Sequence, residues 1–293
     1  MIPIRRVGLV AKHKLDAAAG VLAELAGWLE ARGVAPVFET DTAALAGLPP
    51  GRPTSAAEDL PRASDLIVVL GGDGTLIGTA GRIAQAGVSV PILGVNFGSL
   101  GFLTEITLPE LYDSLESVLD GEAEIDERMM LQARTMRDGT VVADRAVVND
   151  AVITKGALSR IIDLSVSVGD ELVMQVRADG LIIATPTGSS AYNLAAGGPI
   201  VHPSVDAMLL TPIAPHMLTN RPVVLPASSR LCVAPLMDGK EEVFVTFDGQ
   251  SGHALQAGDT IEITRSSRTL RLVRASERTY FDVLRQKLKW GAR

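Results

Sequence analysis

Three glycines surround a single carboxylate in Gly71-Gly72-Asp73-Gly74-Thr75, directly after the apolar pentad Leu66-Ile67-Val68-Val69-Leu70 and before a helix-spaced run, Leu76, Ala80, Ile83 and Ala84. Glycines let backbone N–H groups approach phosphate oxygens, and a helix N-terminus adds a favourable partial charge. A carboxylate there is costly beside phosphates unless it acts on a proton or holds an attacking hydroxyl in line, with Mg²⁺ offsetting the charge. By itself the pentapeptide reads equally as a tight turn in which Asp73 caps backbone N–H groups. It is neither of the two common phosphate grips. A third glycine is missing from the dinucleotide fingerprint, because Thr75, Leu76 and Ile77 follow Gly74, and Gly-x-x-x-x-Gly-Lys-Ser/Thr occurs nowhere.

Three further stretches have the same character. Asn96-Phe97-Gly98-Ser99-Leu100-Gly101-Phe102-Leu103 follows the buried run Pro91 to Val95. Asn149-Asp150 pairs a side chain that both donates and accepts with one that accepts. Read alone, it is a strand-end turn. The long block from Asp179 through Thr185-Pro186-Thr187-Gly188-Ser189-Ser190-Ala191-Tyr192-Asn193 to Gly197-Gly198-Pro199 offers small hydroxyl residues, a glycine and an aromatic face. It reads both as a Ser/Thr-rich loop capping a helix and as room for a ligand backbone.

Two kinds of element must position these stretches. From Arg6 to Leu119 short β-branched runs alternate with helical spacing, which predicts βαβ units and a parallel sheet. Val7 to Val10, Val34 to Phe38, Leu66 to Leu70 and Pro91 to Val95 are the strands. Leu15 to Leu29 and Leu108 to Leu119 carry helical faces. Ala43 to Ala63, rich in Ala, Pro and Gly, predicts a mobile loop or lid with little fixed structure. Both glycine-rich loops follow strand C-terminal ends, where open α/β sheets bind ligands. Beyond residue 122 the period changes to two, with strands at Met129 to Met136, Val141 to Ile153, Ile162 to Val168 and Leu172 to Val176. Asp138-Gly139, Gly169-Asp170, Asp238-Gly239 and Gly258-Asp259 are turn signals. The expected organisation is an α/β domain over 1–122 with a parallel, Rossmann-like sheet, a mostly antiparallel β domain over 123–274, and a helix over 275–293 packing back on the first domain. His216, between Pro215 and Met217, reads as a packed core or interface residue.

The chain has 293 residues, with 27 Lys plus Arg against 34 Asp plus Glu, a net charge of −7. That balance, with no basic run, disfavours nucleic acid as a partner. No apolar run reaches the roughly 18 residues of a membrane span. The N-terminus lacks a signal-peptide core, and Cys232 is the only cysteine, so cytoplasm is the expected compartment. The histidines His13, His202, His216 and His253 show no metal-ligand spacing with each other or with Cys232, so a built-in zinc site is not expected, and no protein ligand is assigned to a metal.

Taken together, in this order and spacing, the four motifs resemble the NAD kinase family, bacterial type, over nearly the whole chain down to Tyr280-Phe281 and Lys287-Leu288-Lys289-Trp290. Gly-Gly-Asp-Gly-Thr alone is shared with lipid kinases and has a relative in phosphofructokinases; the Asp179 to Pro199 block is more specific. The resemblance implies a two-domain α+β NAD kinase-like fold. It also implies transfer of the γ-phosphate of ATP to the adenosine ribose 2′-hydroxyl of NAD, with Mg²⁺ or another divalent cation, in a homodimer or homotetramer. Polyphosphate as donor is left open. By the same resemblance Asp73 accepts or aligns the 2′-hydroxyl and Gly74 backs it, Asn149 and Asp150 contact the dinucleotide, and Ser190, Ala191, Tyr192, Asn193, Leu194 and Ala195 lie against NAD. Arg177 and Asp179 fall near the nicotinamide, and Arg160, Ala214 and Gln250 align with further contact positions. Two alternatives stand beside this reading: a diacylglycerol-type lipid kinase built on the same loop, and a non-catalytic NAD(P) sensor.

Overall fold

The computed structural model describes residues 4–47, 51–98, 100–157, 160–238, 242–274 and 278–291. In chain order it begins β1 (Arg6–Ala11), α1 (Ala18–Ala31), β2 (Ala35–Glu39), α2 (Thr40–Leu45), β3 (Thr54–Ser55), β4 (Leu66–Gly71), α3 (Asp73–Ala86), β5 (Ile92–Asn96), β6 (Ile106–Thr107) and α4 (Leu111–Leu119). There follow β7 (Glu124–Arg137), β8 (Thr140–Val147), β9 (Asp150–Lys155), β10 (Ile162–Val168), β11 (Glu171–Ala178), β12 (Gly180–Ala184) and α5 (Tyr192–Ala195). The chain ends with β13 (Ala207–Ile213), β14 (Val223–Pro226), β15 (Leu231–Pro235), β16 (Val243–Phe247), β17 (Ser251–Ala254), β18 (Thr260–Arg274) and α6 (Tyr280–Leu288). Two compact units result, one of Met1–Glu127 with Leu270–Arg293, the other of Arg128–Thr269.

In the first unit the parallel order is β3-β2-β1-β4-β5, with β6 and the end of β18 also pairing β5 in parallel. Strand β4 is buried along its whole length, as its unbroken apolar run requires of a strand covered on both faces. Leu22, Leu25, Ala26 and Leu29 of α1 and Leu111, Leu115 and Val118 of α4 pack into the same core as Val7, Leu9, Val68 and Leu93. Strand order reverses between β1 and β4. The loop leaving β4 therefore lies at the switch point of an open parallel sheet, where such sheets bind ligands. Arg278, just before α6, donates to the Glu105 carbonyl at 2.9 Å and pairs with Glu110, tying the C-terminal segment to this unit.

The Ala43 to Ala63 expectation is corrected where the segment is described. Its start belongs to α2, Thr54–Ser55 adds β3 to the sheet edge, and Leu60–Ala63 forms a 3₁₀ turn with Leu60 and Pro61 buried. The composition hid two anchors. The Thr42 hydroxyl accepts from Ala11 N at 2.9 Å and donates to Glu39, and Leu60 is 1% exposed. Residues 48–50 lie outside the described residues.

In the second unit an antiparallel sheet runs β14-β13-β12-β9-β16-β17. A second antiparallel set joins β11, β10, β15 and the start of β18. Alternation sorts the first sheet's faces. Ala151, Ile153, Leu181, Ile183, Met208 and Leu210 enter the main core, while Val152, Ile182, Ala184 and Leu209 pack on the opposite face beneath Ala196 and Val201. The expected single strand from Val141 to Ile153 is broken: β8 ends at Val147 and β9 begins at Asp150. His216 is exposed rather than packed in a core. Of the turn signals, Asp238-Gly239 falls partly outside the described residues.

Candidate active site

The first unit presents the glycine-rich loop. Asp73 opens α3, but its carboxylate turns away from its own helix. Oδ2 accepts from Phe102 N at 2.8 Å. Oδ1 accepts from Leu103 N at 3.1 Å, Thr104 N at 3.0 Å and Thr104 Oγ1 at 3.0 Å. Asp73 is thus a cap, but of a loop some 30 residues downstream. A Cβ on Gly101 would lie 2.1 Å from Asp73 Oδ1, so this close approach needs glycine. Around Gly72 and Gly74 a Cβ would meet nothing within 4 Å, which leaves open space beside the N-terminus of α3. A carboxylate has about four acceptor sites, so the single bond on Oδ2 leaves that oxygen a lone pair for a substrate hydroxyl.

Loop 102–110 is held from the C-terminal segment. The Lys287 ammonium sits 5.9 Å over the Phe102 ring. Burial pushes the Glu110 carboxyl up, but the Arg278 guanidinium and the N–H and hydroxyl of Thr107 outweigh it and hold its pKa below the usual range.

The second unit holds a cavity of about 390 Å³ along β9, within the range of small-molecule sites. Asn149, Asp150, Ala191, Tyr192 and Asp248 line it, with Val152, Thr154 and Thr246 on its sheet side. Asp150 is only 5% exposed. Burial first, and then the nearby Asp248 charge, push its pKa up to about 7. The side chains of Asn149 and Asp150 make no hydrogen bond among the described residues, whereas their backbone is fully engaged. Asp248 accepts from Val148 N at 2.8 Å, Asn149 N at 2.7 Å and Asp150 N at 3.0 Å. The Asn149 carbonyl accepts from Thr185 N at 2.8 Å. Thr185 Oγ1 bridges Val148 O and Gly188 N, and a Cβ on Gly188 would lie 2.2 Å from the Asn149 carbonyl oxygen. The Thr185 to Gly188 turn therefore rests directly on the Asn149 backbone.

The remaining residues expected from the sequence lie in several places. Ser190, Ala191, Tyr192, Leu194 and Ala195 lie on the turn and short helix above β12, with Tyr192 48% exposed. Asn193 is fully buried, and its amide is spent on Ser189 O, Pro199 O and the Thr211 hydroxyl, so its side chain fixes α5. Arg177, Asp179 and Ala214 gather at the far end of β9. There Asp179 N donates to Ile213 O, Asp179 pairs with Lys155 at 3.0 Å, and Ala214 takes φ +43°. The row Thr154, Gly180, Ile213 crosses the sheet at this end, four residues or about 13 Å from Asp150. Gln250 is exposed in the β16–β17 turn, and Arg160 is exposed beside residues outside the described set. Asp73 and Gly74 belong to the first unit. Asp248 and Thr104 were not among the residues singled out from the sequence: an Asp-Gly dipeptide such as Asp248-Gly249 suits a hairpin turn, and Thr104 carries no signal of its own.

A glycine-rich loop at the switch point of one unit, with a carboxylate and amide pocket in the other, defines a two-domain nucleotide-binding protein. The chain belongs to the ATP-NAD kinase family: residues 7–123 match the ATP-NAD kinase N-terminal domain and residues 148–275 the ATP-NAD kinase C-terminal domain. It is 49% identical to an NAD kinase of Geobacter sulfurreducens over 290 residues, 99% of this chain and 100% of that protein. It is 47% identical to one of Geotalea daltonii over the same shares. Yeast NADH kinase complexed with NADH is a structural neighbour with TM-score 0.89 and 27% identity, over 99% of this chain and 89% of that one. An NAD kinase from Archaeoglobus fulgidus in complex with ATP matches in fold, with TM-score 0.75 and 24% identity over 97% and 98%.

Proposed function

We infer that this chain is an NAD kinase that transfers the γ-phosphate of ATP to the adenosine ribose 2′-hydroxyl of NAD. The observation that carries the reading is near-half identity to curated NAD kinases over 99% of the chain. In the proposed step the 2′-oxygen bonds to the γ-phosphorus, the bond from that phosphorus to the ADP oxygen breaks, and the hydroxyl proton passes to Asp73. The free lone pair on Asp73 Oδ2 supports a role in aligning the hydroxyl, and the open space at Gly72 and Gly74 supports close approach of donor phosphates.

The dinucleotide is proposed to lie along β9. Asn149 and Asp150 meet a ribose and its base, because one side chain donates and accepts and the other accepts from vicinal hydroxyls. Ala191 and Tyr192 cover it, and Ser190, Leu194 and Ala195 border it. Arg177, Asp179 and Ala214 are proposed for the nicotinamide end, and Arg160 and Gln250 for outer contacts. Among the described residues no group of three His, Cys, Asp or Glu could hold a metal ion. A divalent cation is proposed to arrive on the donor phosphates. The domain roles follow: 1–122 for phosphoryl transfer and 123–274 for NAD, with 275–293 bracing the first. Among the described residues no helix is long and apolar enough to cross a membrane. A cytoplasmic homodimer or homotetramer is proposed, checked by light scattering on the purified chain.

The first test is incubation with NAD, ATP and Mg²⁺, with NADP read by an NADP-specific dehydrogenase and Asp73→Asn run in parallel. NADP from the wild type and a kcat lower by about 10²–10⁴ in the variant are expected. Equal turnover by the variant would remove the proton-acceptor role. A wild type that binds NAD yet makes no NADP with ATP or polyphosphate would replace the kinase reading with the sensor.

A further inference from the structure

Between β8 and β9 the chain has no ladder partner at Val148 and Asn149, yet the Val148 to Asp150 segment is closely defined. The turn between β16 and β17 takes the ladder's place. Asp248 Oδ2 accepts from Val148 N, Oδ1 accepts from both Asn149 N and Asp150 N, and Asp248 N donates back to Asp150 O at 2.9 Å. Asp248 (φ +51°) and Gly249 (φ +64°) are the two left-handed residues of an Asp-Gly hairpin turn, a conformation that these two residue types adopt readily. Immediately beyond, Phe247 resumes regular pairing with Ala151.

We propose that Asp248 is a positioning residue, whose carboxylate fixes the Asn149–Asp150 corner so that both side chains meet the dinucleotide in the cavity. Identification of the ligand rests on the NAD kinase reading above. Three N–H groups on one carboxylate are charge-assisted bonds, and removing the acceptor strands partly buried backbone donors. Asparagine in place of Asp248 keeps the shape but turns an NH₂ group toward at least one N–H that now has no acceptor. The charge also acts on Asp150, the carboxyl it faces. Burial is the larger cause of that group's raised pKa, and Asp248 is the second. Ribose hydroxyls are accepted best by the ionised form, so KM for NAD falls as pH rises through about 7. With the Asp248 charge removed, Asp150 ionises at lower pH and the inflection moves in the acid direction. A residue that only braced the fold would raise KM for NAD and KM for ATP together and would not confine faster exchange to residues 148–150.

The experiment compares wild type and Asp248→Asn by steady-state kinetics from pH 5.5 to 8.5 and by amide hydrogen exchange of the full chain. The expected results are a KM for NAD raised roughly tenfold or more at the alkaline end with KM for ATP within about twofold, an inflection moved in the acid direction, and faster exchange confined to residues 148–150. An unchanged KM for NAD, or an equal rise in both KM values with a fixed inflection, overturns the proposal. If Asp248→Asn does not fold, Asp248→Glu, which keeps the charge on a longer arm, is decided by exchange alone. Faster exchange confined to 148–150 supports the positioning role, and unchanged exchange overturns it. If the wild type makes no NADP, the kinase reading fails, while the exchange comparison still judges the positioning role.

Discussion

Asp73 is at once the residue with the most evident chemistry and one of the most restrained side chains of the first unit, with four donors from Phe102 to Thr104 on its carboxylate. The restraint explains Gly101 better than any turn does. A methyl group there would stand 2.1 Å from Asp73 Oδ1 and 2.2 Å from Thr104 Oγ1, and both oxygens belong to the network itself. Gly101→Ala is therefore expected to break at least one of the four bonds. It should lower stability by about 1–3 kcal/mol, as overpacking does, and reduce kcat more than it raises KM for NAD. Chemical denaturation and steady-state kinetics check both halves, and wild-type kcat would show that the cage around Asp73 has no part in turnover. Which residue holds Asp73 was not legible in the sequence, because a carboxylate beside glycines satisfies itself equally well in its own turn.

At the level of elements, the cavity depends on two short connections that meet at one backbone corner. The Thr185 to Gly188 turn seats on Asn149 from one side and the β16–β17 turn from another. Gly188→Ala would press a methyl group against a backbone carbonyl at 2.2 Å, and backbone, unlike a flexible side chain, has nowhere to move. The expected outcome is a loss of about 1–3 kcal/mol and a raised KM for NAD with KM for ATP little changed, measured by urea unfolding and initial rates. Parallel strands and helical faces were readable because apolar spacing is a local property. The break between β8 and β9 was half legible: Asn149-Asp150 reads alone as a strand-end turn, but the group that takes the ladder's place, Asp248, lies about 100 residues away. In the same way the Ala/Pro-rich segment after Ala43 disguised α2, β3 and a buried Leu60, whose order comes from packing partners outside the segment.

For the molecule as a whole, each unit has its own apolar core, one beneath the parallel sheet and one within the antiparallel strands. If NAD occupies the cavity of the second unit, mass action should stabilise the protein by about 2.7 kcal/mol at a hundredfold excess over Kd. For a domain of this size that is a rise in Tm of about 5–10 °C. Calorimetry with and without NAD checks it, and no shift at saturating NAD would remove the cavity from the account. The two kinds of domain, the glycine-rich loop, the Asn149–Asp150 pair and the family were legible in the chain alone, because periodicity and contiguous motifs are written in neighbouring residues. It took the folded chain to reveal that Thr104 holds Asp73, that the Asn193 amide is spent inside the protein, and that Asp248 stands in for a strand partner. Those are bonds between groups far apart in the chain, and donors and acceptors of one type have many equivalent partners until the fold brings a particular one within reach.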